Sequence, residues 1–199
     1  MSWTAVIPFK GTAARKTRLA SLFSPDQRRE LSQRMFDHVC EVVVGCADID
    51  NVAVLSDLPV PGWTGSLIRD EGRGLNAELG AVATDRSGRH LLVIHADLPL
   101  LQSSDISALL EEAEKGTIAI APDRSATGTN ALALVRPAGF AFHFGANSLH
   151  QHLRAGGAAA GIVRRTGLSL DIDTPEDYAE AWRIAPATMR LIALQPDIG

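Results

Sequence analysis

The chain alternates between short apolar runs and longer stretches in which apolar residues recur at helical spacing. The short runs predict strands at residues 4–7, 51–56, 66–68, 91–94, 117–121 and 131–135. The longer stretches between them predict helices. The first of these begins at Ser24, with Pro25 in its first turn and Gln27 completing a capping box. This alternation predicts a single-domain α/β protein, Rossmann-like, with a mostly parallel twisted sheet and helices on both faces.

The last third of the chain continues this pattern with shorter elements. Residues 161–164 predict an edge strand, and the alternation of Leu168, Leu170 and Ile172 predicts another strand. Thr174 is expected to cap the next helix, and Pro175 to open it. One domain over residues 1–183 is therefore expected. The tail, 184–199, is expected to be partly disordered or to add an edge strand through 191–194.

Composition narrows the class of protein. The 199 residues carry a formal net charge of −4, which argues against the broad basic surface that nucleic-acid binding requires. No apolar run reaches the roughly 18 residues of a membrane span, and the first residues lack a signal-peptide pattern. Cys40 and Cys46 suit neither a zinc site nor a disulfide framework and are interpreted as reduced thiols. A cytoplasmic protein is expected.

The run that ends at Asp97 is the strongest functional signal. Four apolar residues, 91–94, predict a strand buried on both faces, and Pro99 stops it soon after Asp97. Ligands of open α/β sheets bind beyond the carboxyl ends of the strands, where Asp97 would stand. A carboxylate beside so much apolar surface needs a cationic partner, and we expect Mg²⁺ carrying a nucleotide phosphate. The alternative is that Asp97 is a solvated acid at the start of the next helix. The expected N-cap residue of that helix is Ser103 or Ser104.

A basic loop follows the first strand. Lys10, Arg15, Lys16 and Arg18 fall within nine residues, where loops of α/β proteins often bind phosphate. Neither the Walker pattern nor the dinucleotide-binding glycine pattern is present. The alternative is a solvated basic loop.

Three further segments have a functional and a purely structural interpretation. Gly72 and Gly74 precede a helix and favour either close approach of a ligand or a tight turn. The helix expected at Ser148 offers either an anion site or plain capping by Asn147 or Ser148. Asp173 and Glu176 could face one cation or only complement the helix macrodipole.

Seven short motifs in order resemble one family. They are Pro8-x-Lys10, Lys16-Thr17-Arg18-Leu19, Gly74-Leu75-Asn76, Ala96-Asp97-Leu98-Pro99-Leu100-Leu101, Gly128-Thr129-Asn130-Ala131-Leu132, Phe144-Gly145-x-x-Ser148 and Asp171-Ile172-Asp173-Thr174-Pro175-Glu176-Asp177. The chain resembles the 2-phospho-L-lactate and phosphoenolpyruvate guanylyltransferases of deazaflavin coenzyme biosynthesis, over residues 4 to 183. These belong to the nucleotidyltransferase superfamily of the molybdopterin-guanylyltransferase type, with a nucleotide-diphospho-sugar-transferase-like fold. The glycine-rich start of the molybdopterin branch is absent, which lowers the expectation of a molybdopterin or sugar substrate.

The resemblance implies GMP transfer from GTP to the phosphate of 2-phospho-L-lactate, phosphoenolpyruvate or 3-phospho-D-glycerate, with release of pyrophosphate. It implies catalytic roles for Lys10, Lys16 and Asp97, and Mg²⁺ held by Asp97, Asp173 and Glu176. It implies nucleotide contacts from Lys10, Lys16, Arg18, Gly74, Leu75 and Asn76, and acceptor contacts from Thr129, Gly145 and Ser148. A homodimer is left open.

The reaction class is consistent with the residues present. The acceptor phosphate is already an anionic nucleophile, so no activated serine, Cys–His pair or general base is required. A phosphoacceptor signalling domain needs an acidic pair after the first strand, where this chain has Pro8, Phe9 and Lys10. A nucleotidyltransferase that uses CTP or another acceptor, and a non-catalytic GTP-binding module, remain as alternatives.

Overall fold

The protein folds around one seven-stranded mixed sheet. The computed structural model describes residues 2–10, 16–85 and 89–193. The strands are β1 (Trp3–Pro8), β2 (Ile49–Ser56), β3 (Ser66–Arg69), β4 (His90–Ile94), β5 (Ile118–Pro122), β6 (Thr129–Leu134) and β7 (Ala160–Ile162). They lie in the order β3-β2-β1-β4-β6-β5-β7. Strand β6 is antiparallel to both of its neighbours, and the remaining pairings are parallel. The predicted mostly parallel sheet is therefore confirmed.

The helices cover both faces of this sheet. They are α1 (Pro25–Val44), α2 (Leu75–Asp85), α3 (Ser103–Gly116), α4 (Ser148–Gly156), α5 (Thr166–Ser169), α6 (Pro175–Ile184) and α7 (Pro186–Ile192), with single 3₁₀ turns at Thr17–Leu19 and Gly157–Ala159. Alternate residues of β1 point to opposite faces, as a strand requires. Ile7 packs with residues of α1 and α3, whereas Val6 packs with residues of α2 and α4. The expected two-sided arrangement is confirmed.

The helix starts follow local sequence closely, with one exception. Ser24 and Gln27 form the predicted capping box of α1, and Thr174 forms an equivalent one with Asp177 at the start of α6. The prediction of Ser103 or Ser104 as the N-cap of α3 is wrong. Gln102 takes that position, because its backbone N–H donates to the Asp105 carboxylate 3.0 Å away.

The strand predicted at residues 168–172 is not formed. Residues 166–169 form the single helical turn α5, and residues 170–173 continue without regular secondary structure. The alternating apolar residues are buried, but in different places. Leu168 packs in the α1–α3 side of the core, while Leu170 and Ile172 join a separate cluster that binds α1 to α6 and α7. The alternating pattern therefore predicted correctly which residues are buried, but it predicted the wrong backbone conformation.

The tail does not add an edge strand at residues 191–192. Residues 186–192 form α7, in which Met189 and Ile192 are buried against α1 and α6. Residues 194–199 lie outside the described part of the chain. The edge strand expected near residue 161 is present as β7.

Two expectations from composition can be compared with the structure. Cys40 and Cys46 are buried free thiols. Within the described residues, none of the helices combines the length and apolar character needed to cross a membrane.

Candidate active site

A cleft opens at the edge of the sheet where β1, β2 and β4 end. Because β6 runs antiparallel to β4, the start of β6 reaches the same edge, and the Asn130 carbonyl accepts a hydrogen bond from the His95 backbone N–H. The cleft measures about 420 Å³. Its lining includes Pro8, Phe9, Lys10, Lys16, Leu55, Asp70, Leu75, His95, Asp97 and Asp173. Pockets of open α/β sheets form at this edge, so this is the candidate active site.

Lys16 and two aspartates form the centre of the cleft. The Lys16 Nζ donates to Asp97 Oδ2 and to Asp173 Oδ1, each at 2.6 Å. The Lys16 side chain is only 9% exposed. Burial by itself would lower the pKa of this lysine, but the two carboxylates outweigh it and raise the pKa above its usual value. The partly buried carboxylate of Asp97 thus has a cationic partner, as the sequence predicted, and in this structure that partner is Lys16.

Asp97 keeps one oxygen for another ligand. Its Oδ1 is buried and accepts no hydrogen bond from the described part of the chain. Burial would raise the pKa of Asp97, yet the Lys16 ammonium holds it below its usual range, so the group is ionised. An ionised, buried oxygen without a donor is suited to a metal ion.

Asp171 is an acid that the sequence analysis did not place at the site. Oxygens of Asp97, Asp171 and Asp173 lie within 4.8 Å of one another. Burial and the neighbouring Asp97 charge raise the pKa of Asp171 to about 6. The Asp-x-Asp spacing was a usable signal, since residues two positions apart on the predicted strand would share a face.

Asn130 holds the turn that carries these acids. Its Nδ2 donates to the carbonyls of Leu168 and Ser169 at 3.1 and 3.3 Å and to Asp171 Oδ1 at 3.0 Å. The backbone N–H of Ile172 donates to the Asp97 carbonyl at 3.2 Å. Asn130 therefore positions Asp171 and the backbone before it relative to the end of β4, a function absent from the sequence-based predictions.

Glu176, predicted as a metal ligand, lies apart from the acidic group. It is exposed in the first turn of α6 and is not one of the three clustered carboxylates. Its neighbour Asp177 makes the helix cap. The carboxylates that the structure brings together are therefore Asp97, Asp171 and Asp173.

The predicted basic residues occupy two different environments. The Lys10 side chain lines the cleft, is 59% exposed, and lies 3.7 Å from Asp70 Oδ2. Arg18 is exposed in the 3₁₀ turn and is not among the residues that line the cleft. Arg15 lies outside the described residues.

The glycine-bearing loop before α2 is organised by Glu78. The Glu78 carboxylate accepts from the backbone N–H groups of Glu71 and Arg73, and from the Arg73 guanidinium at 2.6 Å. These contacts, chiefly those with Arg73, lower the pKa of Glu78 to about 2. Gly72 and Gly74 have φ values of +81° and +91°, which favour glycine. The carboxylate inside the loop was not anticipated.

Asn76 links this loop to the segment before α4. Its Nδ2 donates to the Phe144 carbonyl at 3.0 Å, and its Oδ1 accepts from the Phe144 N–H at 2.7 Å. Leu75 lines the cleft. The Asn76 amide is therefore engaged with backbone, and its contact with a nucleotide stays a prediction.

The three residues predicted to bind the acceptor are not among those that line the cleft. Thr129 and Ser148 are each 2% exposed. Gly145 has a φ of +121° in an exposed turn. Helix α4 begins at Ser148, as predicted, and Asn147 occupies the N-cap position. Asn147 has a left-handed backbone conformation with a φ of 56° and makes no side-chain capping hydrogen bond within the described residues.

Thr129 belongs to a buried histidine network. Its hydroxyl lies 3.0 Å from His152 Nδ1, and His152 Nε2 accepts from the His143 backbone N–H at 2.9 Å. Since Nε2 is the acceptor, Nδ1 carries the proton and donates to the hydroxyl. Burial lowers the pKa of His152 to about 4.

His95 is another cleft residue that the sequence analysis missed. Its ring centroid lies 5.4 Å from that of Phe144, and its pKa is lowered, chiefly by burial. His95 connects the wall of the cleft to the Phe144 segment that Asn76 also holds. Its position two residues before Asp97 was the only available signal.

The fold and this edge define the class of protein. The chain matches a protein described as a nucleotide-diphospho-sugar transferase from Desulfovibrio desulfuricans G20, with a TM-score of 0.77 and 16% identity over 96% of this chain and 94% of that one. It also matches a nucleotidyl transferase from Methanothermobacter, with a TM-score of 0.63 and 17% identity over 94% and 98% of the two chains. These similarities show the nucleotidyltransferase-like fold that the sequence predicted.

Sequence similarity assigns the chain to a family within this fold. Residues 3–183 match the family described as "Guanylyl transferase CofC like", and the chain belongs to it. Two phosphoenolpyruvate guanylyltransferases are similar, that of Rubrobacter xylanophilus at 37% identity over 90% of this chain and 93% of that one, and that of Sphaerobacter thermophilus at 35% over 94% and 95%. The 2-phospho-L-lactate guanylyltransferase of Methanothermobacter thermautotrophicus is 31% identical over 90% and 84%. The predicted family and nucleotidyltransferase class are confirmed, and the alternatives are not favoured.

Proposed function

We propose that the protein transfers GMP from GTP to the phosphate of phosphoenolpyruvate and releases pyrophosphate. The observation that carries this proposal is the convergence of Lys16, Asp97 and Asp173 in one cleft at the carboxyl edge of the sheet, in a member of the guanylyl transferase family. Two anionic substrates meet in such a reaction, so the site must supply cations and also hold a metal-bound triphosphate.

The chemistry needs positioning more than proton transfer. An oxygen of the acceptor phosphate attacks the α-phosphorus of GTP, and the bond from that phosphorus to the bridging oxygen of the pyrophosphate breaks. The acceptor phosphate keeps GMP, pyrophosphate leaves, and no proton has to be removed from the nucleophile. Lys10 and Lys16 both line the cleft and supply positive charge to the phosphates. The glycine loop before α2 completes the proposed nucleotide subsite through its backbone.

We propose Mg²⁺ as the cofactor. Asp97, Asp171 and Asp173 offer oxygens within 4.8 Å of one another, and the unpartnered Asp97 Oδ1 is one of the available donors. Carboxylate oxygens together with substrate phosphates are the usual ligands of Mg²⁺. When bound, the ion would supply charge neutralisation at the triphosphate and the leaving pyrophosphate. Glu176 lies outside this group and enters the proposal only as a ligand reached through a change of side-chain position.

Phosphoenolpyruvate is proposed as the acceptor because relatives named for it have 37% and 35% identity, against 31% for the one named for 2-phospho-L-lactate. The product would then enter deazaflavin coenzyme biosynthesis. The acceptor candidates differ by small groups, which contribute only about 1–3 kcal/mol of discrimination in a pocket, so the assay must include each of them. A homodimer stays a prediction.

The decisive experiment measures pyrophosphate release with Mg²⁺ and GTP and with phosphoenolpyruvate, 2-phospho-L-lactate or 3-phospho-D-glycerate in separate reactions. ATP and CTP replace GTP in parallel sets. We expect pyrophosphate release only in the reaction that contains both GTP and phosphoenolpyruvate. Release only with another acceptor would correct the substrate, and no release in any combination would refute the proposed reaction.

A further inference from the structure

The Lys16 ammonium lies where two acids converge from distant parts of the chain. Asp97 follows β4, and Asp173 precedes α6, yet both accept from Nζ at 2.6 Å. The Lys16 backbone is held in a left-handed conformation, with φ 54° and ψ 41°, which is unfavourable for a residue other than glycine. The two ion pairs therefore hold this side chain in a specific and restrained place.

The oxygens that accept from Lys16 are among those proposed to hold the metal ion. Mg²⁺ binds carboxylate oxygens at about 2.0–2.1 Å and requires a close, well-ordered shell of ligands. An ammonium in hydrogen-bond contact with the same two carboxylates stands in the way of that shell. It also adds a positive charge that repels the ion.

We propose that Lys16 and a divalent metal ion occupy the Asp97–Asp173 pair alternately, and that the ammonium displaced by the metal is the one that binds the nucleotide phosphates. This inference rests on the proposed function. Lysine suits this exchange because its charge sits on a flexible four-carbon stem, which can turn while the backbone stays in place. Since Lys16 already lines the cleft, a short movement of the stem brings the ammonium towards a ligand there.

The exchange makes the metal affinity depend on whether nucleotide is bound. In the absence of nucleotide, the metal has to displace Lys16 and binds weakly. A bound triphosphate offers the displaced ammonium a new anionic partner, so nucleotide and metal should increase each other's affinity. The same lysine thus prevents the acids from repelling one another and couples arrival of the metal to arrival of the substrate.

Metal affinity in the absence of nucleotide tests the exchange directly. Mn²⁺ is titrated into the protein, and free Mn²⁺ is measured by electron paramagnetic resonance. Lys16→Met should bind Mn²⁺ about tenfold more tightly than the wild type, since a competing charge is removed. Lys16→Arg keeps the charge and should bind weakly. The matched control is Lys10→Met, because the Lys10 ammonium lies 3.7 Å from Asp70 rather than between Asp97 and Asp173. The Mn²⁺ affinity of this variant should change much less. Unchanged or weaker binding by Lys16→Met would overturn the inference.

A second measurement uses the wild-type chain and does not depend on how a variant folds. Amine acylation by acetic anhydride is followed at individual lysines by mass spectrometry, with and without Mg²⁺ and in the absence of nucleotide. Lys16 should acylate several-fold faster when Mg²⁺ is present, while Lys10 should not. Equal rates at Lys16 under the two conditions would contradict the exchange.

These outcomes are separate from the test of the reaction. Pyrophosphate release with unchanged Mn²⁺ affinity in Lys16→Met would overturn the exchange and leave the proposed function standing. Tighter Mn²⁺ binding by Lys16→Met, combined with no pyrophosphate release by the wild type, would support the exchange and refute the proposed function.

Discussion

The buried histidine beside Thr129 makes stability depend on pH in a calculable way. His152 is fully buried, its Nε2 accepts from the His143 N–H, and its Nδ1 faces the Thr129 hydroxyl. A second ring proton would remove the acceptor at Nε2 and place a charge in the core. Replacing the imidazole by a neutral side chain, in His152→Gln, removes the titration.

The sign and size of the effect follow from linkage. Burial lowers the pKa of His152 to about 4 in the folded state, so the unfolded chain, with a pKa near 6.5, takes up the proton first. The contribution to stability is therefore complete above about pH 6.5 and decreases as the pH falls towards the folded pKa. At 1.36 kcal/mol per unit, the full loss is about 3 kcal/mol, and the loss between pH 7 and pH 5 is about 2 kcal/mol.

Urea unfolding at pH 7 and pH 5 measures this loss. Other groups also titrate, so the informative quantity is the difference between wild type and variant. His152→Gln should lose about 2 kcal/mol less than the wild type between the two pH values. The exposed His150, changed to glutamine, serves as the control and should lose as much as the wild type. Equal losses in His152→Gln and wild type, within about 0.5 kcal/mol, would show that His152 is not the source of this pH dependence.

Three further predictions concern the cleft. Asn130→Ala removes the donor that holds Asp171. Urea unfolding should show a free energy of unfolding lower by about 1–3 kcal/mol, and metal titration should show weaker Mn²⁺ binding. An unchanged Mn²⁺ affinity would show that Asn130 does not position Asp171 for the metal. Glu78→Gln keeps an oxygen for the backbone N–H groups of the glycine loop but loses the carboxylate that pairs with the Arg73 guanidinium. This should raise the KM for GTP by about tenfold while the acceptor KM changes little. Steady-state pyrophosphate assays would check this, and equal changes in both KM values would argue against a nucleotide-specific loop. Asp97→Asn should reduce pyrophosphate release by at least about 100-fold while thermal unfolding stays cooperative, because Asp173 still pairs with Lys16; a near-normal rate would remove Asp97 from the proposed metal site.

Elements with local signals could be predicted from the sequence. The Ser24 and Thr174 capping boxes, the buried strand that ends before Asp97, and the order of strands and helices all depend on residues a few positions apart. Such patterns record burial and local hydrogen bonding, which the chain specifies wherever it folds. They were enough to place Asp97 at the functional edge of the sheet, while the resemblance to known guanylyltransferases supplied the family.

The tertiary structure alone decided which side chains meet. Lys16 and Asp97 are 81 positions apart, and Asn130 and Asp171 are 41 positions apart, so no local pattern predicts either pair. The first pair depends on β1 lying parallel beside β4, so that the segments after both strands meet at one edge of the sheet. The second depends on the reversed direction of β6, which brings Asn130 to the end of β4 and holds the turn around residues 168–171 there. The same turn explains the wrong strand at residues 168–172. Apolar alternation reports that Leu168 and Leu170 are buried, but two separate clusters bury them, and only the packed fold distinguishes that from a strand.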